Sequence, residues 1–321
     1  MSGLSRLRRC DRHTASARLF GAGMVLAELA TRPLGHRGYH QVARALGSPW
    51  LVGQADATLR LERGGELTVR LADPYWSKLV ATGYRYEPEL TRLLQHVGCD
   101  ELDLVDAGAN IGFWAVTAAG LFPRGRVVAV EPNPPMVAQL RVNVAPLGSR
   151  VEVVEVALTA FEQPKVRLTM SQLPGGHAGA SAAVRESRLG TVSVDVPAKT
   201  LDQLVGEAGL GGRPLLVKLD VEGLEDSILG TAKVVDNRLV AFVYEDHGHD
   251  RECRATRALL ERNQHDLYLL TEGRGAVLVR RVDELLALKT REVVGYNCLA
   301  VPRTGPWADE LLLPGWRADG F

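Results

Sequence analysis

The chain carries no net charge. Its 38 Lys and Arg residues balance 38 Asp and Glu, and the isoelectric point is near 7.1. A bulk electrostatic attraction to nucleic acid or to an anionic membrane is therefore not indicated. Cysteine is scarce as well. Cys10, Cys99, Cys253 and Cys298 stand singly, with no Cys-x-x-Cys pair, so neither a zinc site nor a redox couple is suggested, and no metal is expected. Isolated cysteines fit free thiols in a reducing compartment, and a cytoplasmic location is expected. No apolar run is long enough to cross a bilayer. The best candidate, Leu19 to Ala30, is short and broken by Glu28. It follows Arg6, Arg8, Arg9, Arg12 and Arg18, which invites a targeting reading, but a helical appendage fits its length better. Internal repeats and low-complexity segments are absent too.

What is present belongs to an ordinary globular protein: 321 residues, 46% hydrophobic and 24% charged. Leu59 to Leu71 alternates around Arg63-Gly64-Gly65-Glu66 and reads as a hairpin. Asp73-Pro74-Tyr75-Trp76 reads as a loop. Glu87 to Val97, with Leu90, Leu93, Leu94 and Val97 on one side, predicts an amphipathic helix. From residue 102 the rhythm becomes strand and helix in turn. Strands are expected at 102–107, 126–131, 151–158, 214–220, 239–245, 267–272 and 294–301, and helices at 111–121, 134–145, 201–208, 224–234 and 252–264. Such alternation implies an α/β, Rossmann-like, mostly parallel sheet with helices on both faces. Seven strands are expected, the last antiparallel, and the succession 267–272, 276–281 and 294–301 implies an antiparallel edge. Two alternating runs, 165–170 and 191–196, joined by a Gly-, Ser- and Ala-rich loop, predict an inserted hairpin. The expected division is an N-terminal arm and cap at 1–98 and a main domain at 99–303. That domain carries an inserted hairpin and lid at 160–197, and a tail follows at 304–321.

The chemistry concentrates at strand ends. Val105-Asp106-Ala107-Gly108-Ala109-Asn110-Ile111-Gly112 takes an apolar strand into an acid and two glycines before a helical pattern. This arrangement sets backbone N–H groups and a helix start beside a small polar cofactor. The glycines are expected to let backbone approach the ligand, and Asn110 to cap the helix or hold a carboxylate. About twenty residues on, Val127 to Val130 ends in Glu131-Pro132-Asn133. An acid there suits a ribose diol. The Gly-x-Asn-x-Gly spacing departs from Gly-x-Gly-x-x-Gly and points to S-adenosylmethionine rather than a dinucleotide. Ala157, within Val156-Ala157-Leu158, is expected at the third strand's end, facing the adenine.

Further on, Lys218 and Asp220 have strand spacing and share one face of the apolar run Leu215 to Val221. Ions within a core strand are costly unless paired or used. Glu222 and Glu225 flank the next helix start. The fifth strand ends in Tyr244-Glu245-Asp246-His247-Gly248-His249-Asp250, which places Glu245 and His247 on one side. A carboxylate beside an imidazole can tune a general base.

These segments resemble the FkbM family of S-adenosylmethionine-dependent methyltransferases. The resemblance rests on Tyr86-Glu87-Pro88-Glu89, Val105 to Gly112, Val130-Glu131-Pro132-Asn133, Thr200-Leu201-Asp202 and Val217 to Glu225, in family order between about 85 and 300. Glu245 also lies where the family has an acid. The resemblance implies methyl transfer to a hydroxyl of a small molecule, such as a sugar, a glycoside or a polyketide-derived secondary metabolite. Asp106, Gly108, Asn110, Gly112, Glu131, Pro132, Asn133, Ala157 and Asp220 are then the cofactor candidates. Lys218, Asp220, Glu245 and His247 are the catalytic candidates, with His247 favoured as base over Asp220. Tyr75, Trp76, Tyr86, Glu222 and His247 are the acceptor candidates. The expected partner is the hydroxyl acceptor, with no nucleic acid and no membrane; a homodimer is left open. Two other classes compete: an NAD-dependent oxidoreductase, which lacks its third glycine here, and a non-catalytic binding protein of the same fold.

Overall fold

The structure is a computed structural model that describes residues 7–11, 23, 26, 56–61, 65–73, 75–80, 85–171, 178–179, 191–272, 275–292 and 294–312. Chain contacts divide it into two units. The first comprises residues 1–86 with 171–177 and 186–191, and the second 87–170, 178–185 and 192–321.

In the first unit, strands β1 (Leu7–Asp11), β2 (Asp56–Arg60) and β3 (Glu66–Arg70) form an antiparallel sheet in that order. The hairpin lies where its alternation placed it, with Ala57, Leu59, Leu67 and Val69 turned inward. Strand β1 was not anticipated, because its Arg-rich sequence carries no alternation. The expected arm helix over 19–30 lies almost wholly outside the described residues.

The second unit opens with α1 (Pro88–Gln95), which buries Leu90, Leu93 and Leu94. The expected cap ran to residue 98, but this helix groups with the main domain. The large sheet follows. Its strands are β4 (Asp103–Ala107), β5 (Val127–Val130), β6 (Val151–Val154), β11 (Leu215–Leu219), β12 (Val240–His247), β13 (His265–Thr271), β14 (Gly275–Val279) and β15 (Gly295–Pro302). Their order is β14-β13-β15-β12-β11-β4-β5-β6. Pairing is parallel from β6 through to β12 and antiparallel at β12–β15, β15–β13 and β13–β14. Strand β15 thus runs against the parallel set, as expected of the last strand. The sheet has eight strands rather than seven, because the chain after Thr271 folds back as β14 on the free edge of β13. Strands β4 and β11 are buried along their whole length, which explains their unbroken apolar sequence.

Connecting helices are α2 (Phe113–Leu121), α3 (Pro134–Val144), α4 (Leu201–Glu207), α5 (Glu225–Thr231), α6 (Arg254–Arg262) and α7 (Val282–Leu288). Helix α4 starts on a capping box: Thr200 Oγ1 accepts from the Gln203 amide at 3.2 Å, and Gln203 Oε1 accepts from the Thr200 amide at 2.9 Å.

One strand differs in kind. The expected third strand, 151–158, is two strands. Strand β6 stops at Val154, where the Val156 amide donates to the Val154 carbonyl at 3.2 Å and bends the chain away. Residues Ala157–Thr159 (β7) then pair in parallel with Ala198–Thr200 of β10 (Thr191–Thr200). With β8 (Lys165–Ser171) and β9 (Ala178–Gly179) they form a second sheet, β7-β10-β8-β9, over a small core of Ala157, Leu168 and Val196. This sheet contains the expected hairpin. Most of the 171–190 loop proposed as a lid lies outside the described residues. No described helix is long and apolar enough to cross a membrane.

After β15 the chain packs Trp307, which is 1% exposed and donates from Nε1 to the Leu239 carbonyl at 2.8 Å. Trp307→Ala is expected to destabilise the protein by about 3–5 kcal/mol, against about 1 kcal/mol for Trp307→Phe, which loses chiefly the hydrogen bond. Urea denaturation of both variants measures the difference.

Candidate functional site

The carboxyl ends of β4, β5, β11 and β12 gather the acids that the sequence marks. At the end of β4, Asp106 is 1% exposed, and neither carboxylate oxygen has a hydrogen-bond partner. Burial pushes its pKa up to about 6; the nearby Lys218 opposes that rise and Asp220 adds to it. Lys218 stands beside Asp106 in the β11–β4 register and binds Asp220 Oδ2 at 2.8 Å. Its side chain is 4% exposed, and burial works against its charge. The surrounding Asp220, Glu87 and Asp106 more than restore it, so the ammonium is held more firmly than in free lysine.

Glu87 is the principal residue that sequence reasoning passed over. It begins α1 in the left-handed region at φ 41° and accepts from Trp114 Nε1 at 2.6 Å. Burial raises its carboxyl to about 7, with Lys218 opposing and Asp220 adding. The signal available in the sequence was an acid directly before the helix-starting Pro88.

The glycine segment does something other than expected. Gly108 lies at φ +81°, and a Cβ there would come within 1.9 Å of the Asp220 carbonyl oxygen. At Gly112, φ +93°, a Cβ would meet Leu140 Cδ1 at 2.6 Å. The missing side chains admit the chain's own β11 end and α3. Asn110 does not cap α2; Gly112 occupies that position. The backbone amide of Asn110 instead donates to Glu131 Oε2 at 2.9 Å, and the Asn133 amide donates to Oε1 at 2.9 Å. Glu131 is thus fixed by both oxygens, each of which keeps a second lone pair. Burial lifts it to about 7 despite those two hydrogen bonds. Pro132 is half-buried between them, and Asn133, at the start of α3, has a buried Oδ1 without a partner. Ala157 lies in the core of the small sheet with Leu168 and Val196. Its expected place at the end of β6 is corrected by the bend at Val154–Val156.

Beyond Asp220, Glu222 and Gly223 take left-handed conformations at φ 57° and 99°. Glu225 closes this turn by accepting from the Val221 and Gly223 amides at 2.8 and 2.9 Å. On β12, Glu245 Oε2 lies 3.2 Å from His247 Nε2. Burial, then the charges of Asp220, Glu222, Glu225 and Glu87, push Glu245 up to about 9. Burial and His249 lower His247. Gly295, opposite on β15, makes room for this pair: a Cβ there would fall 1.2 Å from Glu245 Oε1. Nothing local in the sequence marks that glycine.

Tyr75, Trp76 and Tyr86 lie in the first unit, packed on one another with ring centroids 5.0 to 6.1 Å apart. Trp76, an acceptor candidate on sequence, is 3% exposed and is part of that unit's core. Among the described residues, no group of three or more His, Cys, Asp and Glu side chains is arranged to hold a metal ion.

The sheet order, the reversed strand and the acids at the carboxyl ends define a Rossmann-like fold of the class I methyltransferase type. The FkbM methyltransferase domain matches residues 106–268, and the chain belongs to that family. Membership implies methyl transfer with S-adenosylmethionine as the cofactor. Over 233 residues the chain is 28% identical to the AMB antimetabolite synthetase AmbE of Pseudomonas aeruginosa, covering 62% of this chain. It spans about a tenth of that relative's length, the share covered being 10%. Among solved structures it is similar to a precorrin-6y C5,15-methyltransferase from Geobacter metallireducens, at 15% identity over 67% of this chain and 86% of that one, with a TM-score of 0.36. A second is TYW2 of M. jannaschii in complex with AdoMet, at 12% identity over 76% and 84%, with a TM-score of 0.38.

The cradle suits that cofactor on its own terms. Asp106 has two buried acceptor oxygens, which suit an ammonium group, and Glu131 is held in one orientation with lone pairs to spare, which would suit a ribose diol. The carboxylates around Lys218 favour a cation. Asp106 also supplies a pH test. Its carboxyl has an ordinary value of 3.8 and about 6 in the folded chain, so the unfolded state loses its proton first as pH rises. The resulting penalty is absent below about 3.8, grows to pH 6 and is complete above it. Asp106→Asn is expected to raise the stability of the ligand-free protein at pH 8 by on the order of 2–3 kcal/mol, little at pH 4, and to weaken S-adenosylmethionine binding. Urea melts at the two pH values and calorimetric titration with the cofactor check both halves.

Proposed function

We propose that the protein transfers a methyl group from S-adenosylmethionine to a hydroxyl of a small molecule, a sugar, glycoside or polyketide-type secondary metabolite. The observation that carries this reading is the Glu245–His247 pair at the β12 end, next to the strand end that bears Asp220. When bound, the cofactor supplies an electrophilic methyl group. The cradle residues Asp106, Gly108, Asn110, Gly112, Glu131, Pro132, Asn133 and Asp220 would hold it, through carboxylates for its cationic and hydroxyl groups and through backbone for the rest.

An alcohol is a poor nucleophile, and its proton becomes acidic only as the new bond forms. His247 is suited to receive it. Burial holds its pKa below the ordinary 6.5, so at neutral pH the imidazole keeps a lone pair. With Nε2 directed at Glu245, Nδ1 is the nitrogen left to take the hydroxyl proton. Glu245 keeps its own proton near pH 7, since its carboxyl titrates at about 9, and its carbonyl oxygen can accept from Nε2–H. Lys218 holds Asp220 in place, and Asp220 is the rival base. Glu222 lies on the acceptor side of the same turn. Methyl transfer to an aligned oxygen needs little more than position and this proton acceptor. The small-molecule acceptor, the absence of nucleic-acid and membrane partners, a cytoplasmic location and any homodimer belong to the same proposal; the neutral charge balance supports its first parts.

The test is incubation with isotopically labelled S-adenosylmethionine and a panel of sugars, glycosides and polyketides, read by mass spectrometry. An O-methylated product supports the reading; methyl transfer only to nitrogen or carbon overturns it. With that acceptor, His247→Ala is expected to lower turnover about a hundredfold while leaving cofactor affinity nearly unchanged. Asp220→Asn should weaken cofactor or acceptor binding as well as rate. Wild-type turnover in His247→Ala across pH 6 to 9 would remove histidine from the role.

Glu245→Gln makes a finer test. Because the wild-type side chain is neutral at pH 7, the amide should keep turnover within about tenfold, whereas loss of a required carboxylate would cost nearer a thousandfold. Steady-state rates at pH 7 separate the two.

A further inference from the structure

Behind the Glu245–His247 pair lies a buried charge that the chemistry does not use. Side chains alternate along β12, so Asp246 faces away from Glu245 and His247. It binds Lys289, the residue that follows α7, and both side chains are 1% exposed. The Lys289 ammonium also donates to the carbonyls of His247 at 2.8 Å and Asp250 at 3.1 Å. Three of its hydrogen bonds thus go to one five-residue segment, and that segment carries His247 at its second position. The other Asp246 oxygen accepts from Thr256 Oγ1 at 2.7 Å, and that hydroxyl lies 3.0 Å from the Tyr244 hydroxyl. The same segment is pressed against the chain beyond Lys289. The Gly248 amide donates to the Val294 carbonyl at 2.9 Å, and a Cβ at Gly248 would meet the Arg291 carbonyl at 2.0 Å.

We propose that Lys289 is a positioning residue: by gripping Asp246 and the His247 and Asp250 carbonyls, it sets where the His247 ring stands. This rests on the reading of His247 as the proton acceptor. A buried ion pair is seldom the most stabilising filling for its space, and an apolar pair of similar volume often does as well or better. Three donors converging on two carbonyls and one carboxylate fix a backbone path, which an apolar side chain cannot do. Burial opposes the charge on Lys289, yet its bonding to Asp246 raises its pKa above that of free lysine, so the grip persists through neutral pH.

The titration of His247 reports the grip without any acceptor. Facing the ring are Glu245 on its own strand, Asp220 and Glu222 from the β11 end, His249 in the loop and Asp246 behind. Arg251 and Glu292 pair with each other at the loop surface. The experiment follows the His247 Cε1 proton by NMR in the full chain, assigned by its loss in His247→Gln, for wild type, Lys289→Met and Lys289→Met/Asp246→Leu. The double variant removes one charge of each sign, so direct electrostatic effects nearly cancel, and it leaves no unpaired buried ion should the single variant fail to fold.

In the folded double variant, His247 is expected to titrate at higher pH than in wild type, nearer the ordinary 6.5, as the released ring regains solvent. Its melting temperature should be equal to or above that of wild type. An unchanged His247 titration in the folded double variant overturns the proposal. A shifted titration together with full turnover in His247→Ala would leave the grip standing and remove the role of the histidine, so the two failures are distinct.

Discussion

One buried ammonium organises the functional end of the sheet. Lys218 projects from β11, inside the parallel set, beside Asp106 in register and bonded to Asp220, with Glu87 near enough to feel its charge. Without it, these acids would be forced together in a dry crevice with nothing to offset their repulsion. With it, the cluster remains short of cations, and that deficit is what a positively charged cofactor would relieve. The raised values of Glu87, Asp106 and Glu131 all state this deficit in another form. Their leading cause is burial, and burial of unpaired acids costs stability that the ligand can return on binding.

Strand β12 separates the two kinds of polar work by its alternation. Glu245 and His247 face the crevice, where titration matters. Tyr244 and Asp246 face the other way, into a closed network with Thr256 and Lys289 in which every named polar atom has a partner. Burial leads the causes that lift the Tyr244 hydroxyl well above its ordinary value. One side of the strand therefore faces the crevice and the other is bonded into the body of the fold.

Much of this organisation is readable from residues close in sequence. Four apolar runs ending in acids gave β4, β5, β11 and β12 to within a residue or two, because fully buried parallel strands permit nothing else. The Asp106, Glu131, Asp220 and Glu245 positions follow directly. Features that depend on distant partners were not readable. The need for glycine at Gly112 comes from Leu140, and that at Gly295 from Glu245, each contact made across the fold. The end of β6 at Val154 is invisible in an apolar run that continues to Leu158. Glu87 looks like an ordinary helix-start acid until Trp114 and Lys218 are brought to it. Trp76 illustrates the converse: an aromatic in a loop suggested an acceptor contact, and packing against Tyr75 and Tyr86 accounts for it.

The small sheet has a consequence for how such chains diversify. The segment between β7 and β10 leaves and re-enters the body side by side, with Ala157 opposite Ala198 and Thr159 opposite Thr200. Its exit strand runs straight into the capping box that starts α4, so both ends are anchored before any intervening residue is considered. Doubling a loop whose ends are already held at strand spacing costs only about 0.6 kcal/mol in closure entropy. Length and composition between these anchors can drift with little effect on the large sheet. In evolutionary terms, the insertion is a cassette whose anchors lie in the body of the fold.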